Sequence, residues 1–202
     1  GVEGSTDGVG AAARFSEPNG ITTDGSYLYV TDFGGPTIRR ITIAGNTVTT
    51  IAGTAGSSGT TDGVGTAARF AQPTGITTDG SSLFVSEWTS HTIRKIDIAT
   101  NAVSTLAGNA GTIGSADGTG TAARFADPTY LTCDGTNLFV ADYANHAIRK
   151  VVIATGAVST IVSGGVDNGY ENGSLAATKL MAPIGITNTA DALYVTEVGN
   201  SA

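Results

Sequence analysis

PTGITTDGSSLFVSEWTSHTIRKIDIATNAVSTLAG, residues 73–108, decides the fold. Its counterpart one period earlier is the simplest place to read it. Residues 20–24 (GITTD) form a candidate strand, Gly25-Ser26 a tight turn, and 27–31 (YLYVT) a strand apolar on both faces that must be covered on both. Residues 37–43 (TIRRITI) alternate, Gly45-Asn46 makes the next turn, and the Thr-rich run 47–52 (TVTTIA) suits an outer strand. Four short antiparallel strands with turn signals between them describe one blade of a β-propeller.

Working outward, the unit recurs. Phe15, Phe70 and Phe125 lie 55 residues apart (70 − 15 and 125 − 70), and Leu180 follows after a further 55. Pro18, Pro73, Pro128 and Pro183 share the period, as do Asp24, Asp79 and Asp134, and Asp32, Glu87, Asp142 and Glu197. A fixed period near 50 belongs to propellers and solenoids. The expected organisation is a leading connector over 1–17, then blades with their connectors over 18–72, 73–127 and 128–182, then the first half of a fourth blade over 183–202. Three complete repeats plus a partial fourth fall short of a closed ring, so the expectation is a fragment or part of a larger ring.

The bulk chemistry removes several function classes. A net charge of -7 repels nucleic-acid backbones, and no basic run overrides it, so no nucleic acid is expected as a partner. Cys133 is the single cysteine, which excludes an intrachain disulfide and a thiolate zinc cluster. No apolar run has the roughly 20 residues of a membrane span. Sparse Lys with abundant Thr and Gly points to a secreted or cell-surface protein of bacterial type.

At residues 73–108 the text resembles an NHL repeat, and the connector DGxGxxARF resembles the spacer between such repeats in bacterial members. The likeness covers three repeats fully and reaches LYVTEVGNSA (193–202) in the fourth. It implies an all-β propeller of four-stranded antiparallel blades. Peptide-amidating lyases, similar to that family in fold, use a histidine-bound zinc; this chain has no third histidine to match. RNA-binding members use a basic face that this chain lacks.

All ten basic residues fall on three columns: Arg14, Arg69, Arg124 and Lys179; Arg39, Arg94 and Arg149; Arg40, Lys95 and Lys150. A catalytic group is needed once, so recurrence argues for structure. Alternation points Arg39 between blades, where its guanidinium needs a carboxylate, and Asp32, Glu87 and Asp142 are the natural partners of Arg39, Arg94 and Arg149. Phe15, Phe70 and Phe125 are assigned to the same structural set.

The turn after each second strand and the connector after each fourth leave the sheet on one face. That face is expected to bind through Asp32, Phe33, Glu87, Trp88, His91, Asp142, Tyr143 and His146. His91 and His146 are the only histidines and the candidates for a metal ion, with Glu87, Asp142 or a group from an absent blade as a third ligand. Asp62 and Asp117, each leading a Gly-rich connector, are calcium candidates, set against the reading of DGVGAAARF (7–15) as a turn and clamp. No other cofactor is expected. Tyr130 in place of Gly20 and Gly75, and Cys133 in place of Thr23 and Thr78, read as local repacking on the innermost strand.

The resulting expectation is a non-enzymatic interaction scaffold that presents these loops to a protein or glycan. The alternatives are a metal-dependent, lyase-like enzyme at the channel mouth, and a structural subunit. The latter self-assembles or joins missing blades of the same parent chain.

Overall fold

A computed structural model of the chain describes residues 2–164 and 180–199. Lys179 and most of the fourth connector lie outside the described residues. The first blade contains β1 (Gly8–Val9), β2 (Pro18–Thr23), β3 (Tyr27–Asp32), β4 (Thr37–Thr42) and β5 (Thr47–Gly53). The second contains β6 (Gly63–Val64), β7 (Pro73–Thr78), β8 (Ser82–Glu87), β9 (Thr92–Asp97) and β10 (Ala102–Ala107). The third contains β11 (Gly118–Thr119), β12 (Pro128–Cys133), β13 (Asn137–Asp142), β14 (Ala147–Val152) and β15 (Ala157–Ser163). A hairpin of β16 (Pro183–Asn188) and β17 (Leu193–Glu197) opens the fourth.

Each complete sheet is ordered with its connector strand outermost, β1-β5-β4-β3-β2 and its two repeats. The four strands read from the sequence are present within a residue or two. A fifth was not anticipated: Gly8 and Val9 pair antiparallel with Val48 and Thr47, and the later connectors do the same. The DGxG part of a connector, grouped on sequence with the blade before it, therefore hydrogen-bonds to the blade after it.

The first hairpin of each blade is set by one carboxylate. Asp24 Oδ1 accepts the N–H groups of Ser26 and Tyr27, both at 2.8 Å, while Gly25 takes a φ of 91° that suits only glycine well. Asp79 and Asp134 repeat the arrangement. Desolvation opposes the charged form, but these amide donors outweigh it and hold Asp24 below the ordinary carboxylate range.

The chain divides into two compact units, Gly1–Glu87 with Arg94–Ser104, and Trp88–Ile93 with Thr105–Ala202. In the first, Tyr29, Ile38 and Ile51 from one blade share a buried cluster with Phe70, Ile76, Leu83, Val85, Ile96 and Val103 from the next. The Thr31 hydroxyl accepts the Gly20 N–H at 2.7 Å and donates to the Thr74 carbonyl at 2.6 Å, which ties the inner strands together. In the second, Thr129 donates to the Ile184 carbonyl at 2.9 Å in the same role. Of the second strands, β8 is buried from end to end, β3 and β13 are buried apart from partly covered residues toward their starts, and β17 is partly exposed.

Candidate functional site

The connector motif is accounted for side chain by side chain. Arg39 Nη1 donates to Asp32 Oδ2 at 3.2 Å and to the Arg14 carbonyl, while Nη2 donates to Asp7 Oδ1 at 2.8 Å and to the Thr6 carbonyl. Arg94 is held by Glu87 at 3.0 Å and Asp62 at 2.8 Å, and Arg149 by Asp142 at 2.7 Å and Asp117 at 2.9 Å. Each guanidinium lies over a phenyl ring, Phe15, Phe70 or Phe125, with its carbon 4.9, 5.2 and 5.2 Å from the ring centroid. The Nε atoms of these three arginines are buried without a hydrogen-bond partner.

The connector aspartate also grips the outer strand. Asp7 accepts the Thr50 N–H at 3.0 Å and its hydroxyl at 2.9 Å. Its partial desolvation raises the cost of charge, but Thr50 and Arg39 outweigh it and hold the carboxyl below the ordinary range. The turn that follows the connector strand needs positive φ at Gly10, Gly65 and Gly120 (51°, 55° and 55°). Arg14 then closes that turn by donating to the carbonyls of Ala11 and Ala13, as Arg69 and Arg124 do in their own repeats.

This geometry redirects several expected site residues. Asp32, Glu87 and Asp142 were expected on a binding face, yet each is 0% exposed because its carboxylate serves an arginine and a backbone N–H, from Ser16, Ala71 and Ala126 respectively. Burial pushes Asp32 and Asp142 upward, against the opposing pull of those donors. Asp62 and Asp117, the calcium candidates, point their carboxylates at Arg94 and Arg149.

The histidines also have a local role. His91 and His146 occupy left-handed backbone positions, φ 58° and 51°, at the end of the second loop. Nδ1 of His91 accepts the Asp127 N–H at 3.1 Å, and Nδ1 of His146 accepts the Ala182 N–H at 2.9 Å. Each acceptor latches the left-handed residue that precedes a proline at the entry to the next repeat. An Nδ1 that accepts a hydrogen bond leaves the proton on Nε2. Among the described residues no group of three His, Cys, Asp or Glu side chains could hold a metal ion. The third ligand read from the sequence, Glu87 or Asp142, is turned to arginine instead.

The aromatic column remains on the surface. Phe33, Trp88 and Tyr143 are half-buried, and Trp88 and Tyr143 lie against each other with ring centroids 5.4 Å apart and planes tilted by 40°. Connector and loop are joined beside them: Gly111 donates to the Ser90 carbonyl, and Asn145 donates to the Gly114 carbonyl and to Asp142. A partly aromatic surface results, flanked by the exposed Thr89 and Ala144.

Sequence reasoning missed the second carboxylate on each arginine. The signal was present in the matching columns Asp7, Asp62, Asp117 and Arg39, Arg94, Arg149. It also missed the latch role of the histidines, for which no local signal exists.

Similarity to known proteins follows the same lines. No protein-family model matches the chain. NHL repeat-containing protein 2 from Bos taurus is 30% identical over 182 residues, covering 83% of this chain and 25% of that protein. Its Homo sapiens counterpart is 30% identical over 164 residues, covering 74% and 22%. The chain thus spans about a quarter of the length of these curated relatives. Among solved structures, an auxiliary nutrient binding protein from Bacteroides thetaiotaomicron superposes with a TM-score of 0.65 at 19% identity, over 84% of this chain and 42% of that one. A virginiamycin B lyase from Staphylococcus aureus superposes at 0.60 and 16% identity, over 95% and 55%.

Proposed function

Since the chain belongs to the NHL-repeat family of β-propellers, we propose that it is a binding scaffold that presents the Trp88 and Tyr143 loops to a protein partner outside the cell. The observation that carries this reading is the Trp88–Tyr143 pair, half-buried with ring centroids 5.4 Å apart. Rigid aromatic side chains supply contact area at low entropic cost, which is why they dominate interface energetics. The framework repeats in every blade while this column changes from Phe to Trp to Tyr, so selectivity resides there. An extracellular setting accords with the Thr- and Gly-rich, Lys-poor composition, and among the described residues no helix is long and apolar enough to cross a membrane.

A glycan is the second reading, favoured by the same tilted pair, whose faces suit the apolar side of a sugar ring. A lyase-like activity draws little support from the fold alone. The metal donors it needs serve the clamps and latches instead. The scaffold can also be one subunit of a larger assembly, which leaves the aromatic surface in the same role.

Trp88 is the only tryptophan, so its emission reports directly on the surface. Titration with peptide and oligosaccharide panels is expected to find ligands that shift Trp88 emission saturably and lose affinity in Tyr143→Ala. A ligand that binds tightly and leaves both Trp88 emission and the Tyr143→Ala affinity unchanged places the binding surface elsewhere.

A further inference from the structure

The connector between the second and third blades departs from its counterpart beside the aromatic loops. Residues 109–113 read NAGTI where 54–58 read TAGSS. Both make the same tight turn. Thr112 donates to the Asn109 carbonyl at 2.9 Å and Ser57 to the Thr54 carbonyl at 3.0 Å, with Gly111 and Gly56 at φ of 74° and 71°. The residue that follows the turn changes its chemistry, from Ser58 to Ile113, and Ile113 is 65% exposed.

A singly exposed apolar side chain is ordinary, and it is the position of this one that carries meaning. Gly111 donates at 3.1 Å to the carbonyl of Ser90, two residues past Trp88. Asn145, two residues past Tyr143, donates at 2.7 Å to the carbonyl of Gly114. Ile113 therefore stands on a stretch fastened at both ends to the loops that carry the Trp88–Tyr143 pair, and all of these residues belong to the second compact unit. An exposed aliphatic side chain and two half-buried aromatic rings share one surface.

The charge at this surface has one sign. Asp127 lies beside both loops: the adjacent Ala126 carbonyl accepts the Ala144 N–H at 3.1 Å, and the Asp127 N–H goes to His91 Nδ1. The Asp127 side chain is 29% exposed, with Oδ1 3.4 Å from that same Nδ1, a nitrogen that accepts a hydrogen bond and has no proton to give the carboxylate. Segments 88–91, 109–114, 126–127 and 143–145 contain no lysine or arginine.

We propose that Ile113, Trp88, Tyr143 and Asp127 form a docking site for an exposed segment of a partner protein in which an apolar side chain adjoins a lysine or arginine. This deepens the scaffold reading and rests on it. The apolar side chain packs on Ile113 and the two rings and removes their remaining apolar surface from water. The cation is drawn to Asp127 and to the aromatic faces, in a chain whose net charge is -7. Isoleucine at 113 also disfavours a glycan, since it offers sugar hydroxyls no hydrogen bond where a serine, as at 58, would.

The test screens the intact chain with phage-displayed random peptides and titrates synthetic copies of the enriched ones against Trp88 emission. Enrichment of peptides that place an apolar residue next to lysine or arginine is expected. Ile113→Ser, which installs the residue of the preceding connector at an exposed position, is expected to weaken them roughly tenfold, the scale of a central interface contact. Asp127→Asn keeps the backbone N–H and tolerates left-handed backbone, and is expected to flatten the salt dependence of binding. Failure to enrich that pairing overturns the proposal, as does equal affinity for Ile113→Ser. Tyr143→Ala separates the two levels of the argument. Peptides or oligosaccharides that are weakened by Tyr143→Ala and indifferent to Ile113→Ser refute this docking site and leave the aromatic scaffold standing; ligands indifferent to both variants refute the two together.

Discussion

Arg94→Met removes the cation at the centre of one clamp and keeps most of the side chain's volume. Arg94 is 0% exposed and donates to Glu87, Asp62 and the carbonyls of Arg69 and Thr61 at 3.0, 2.8, 2.9 and 3.3 Å. Its loss leaves the Glu87 carboxylate, also 0% exposed, without the guanidinium it faces. Breaking a buried pair in this way costs about 4 kcal/mol. For a chain of this length that corresponds to a fall in Tm of roughly 8–16 °C.

Asp62→Asn at the same clamp removes an aspartate whose side chain is 52% exposed, and is expected to cost about 1 kcal/mol or less. Arg94→Met combined with Glu87→Leu removes both buried charges and should recover much of the loss, since an apolar pair of similar volume is often no less stable. Unfolding in urea followed by Trp88 emission is the assay, with the reporter one residue beyond Glu87. If Arg94→Met costs under about 1 kcal/mol, or the double variant is worse than the single, the buried-charge reasoning is refuted.

Three further outcomes are expected. His91→Ala strands the Asp127 N–H and should lower stability by about 1–3 kcal/mol, while His91→Asn, which tolerates left-handed backbone, should cost less on the same urea assay. Asp7, Asp24, Asp79, Asp117 and Asp134 are held below the ordinary value of 3.8, so the stability they contribute is lost as pH falls through their lowered values. Asp32 and Asp142 are raised and act in the opposite sense, with stability lost as pH rises through their values; the five should outweigh the two, and a urea midpoint that stays flat or rises from about pH 5 to pH 3 contradicts this. Elemental analysis of purified protein should find zinc and copper well below one equivalent per chain; a stoichiometric metal would favour the lyase reading over the scaffold.

The parts of the fold legible in the sequence were those with a local cause. YLYVT (27–31) and TIRRITI (37–43) declare their strands by composition and alternation, and Asp24-Gly25 declares its turn. The connector strand Gly8–Val9 has two residues, too few for any alternation to appear. The left-handed residues Glu17, Gln72, Asp127 and Ala182 are ordinary in type, and the proline after each speaks against the right-handed helical region but not for the left-handed one. At the site, the arginine–carboxylate pairing was readable because a buried guanidinium demands it. Asp32, Glu87 and Asp142 carried two readings, display and pairing, and only their burial separates them.

Departures from the repeat separate structure from selectivity. The hydroxyls of Thr31, Ser86 and Thr196 accept the N–H groups of Gly20, Gly75 and Gly185 at 2.7, 2.9 and 3.0 Å. A Cβ at Gly20 would lie 3.1 Å from the Thr31 hydroxyl, and one at Gly185 would lie 2.7 Å from that of Thr196. The third blade changes both members of this pair at once, to Tyr130 and Ala141, although at Gly20 the Thr74 carbonyl, 2.5 Å from an added Cβ, is a nearer obstacle than the hydroxyl. Cys133 is similar, since its sulfur accepts the Gly135 N–H at 3.2 Å, where Thr23 and Thr78 accept those of Gly25 and Gly80 at 3.0 Å. The cysteine thus keeps the hydrogen bond of its column. The change from Phe33 to Trp88 to Tyr143 has no such counterpart: the residue before each is still a buried carboxylate on an arginine, and the arginine is unchanged. Variation at a half-buried aromatic position, while the arginine of each clamp stays the same, is the pattern on which the proposed binding surface rests.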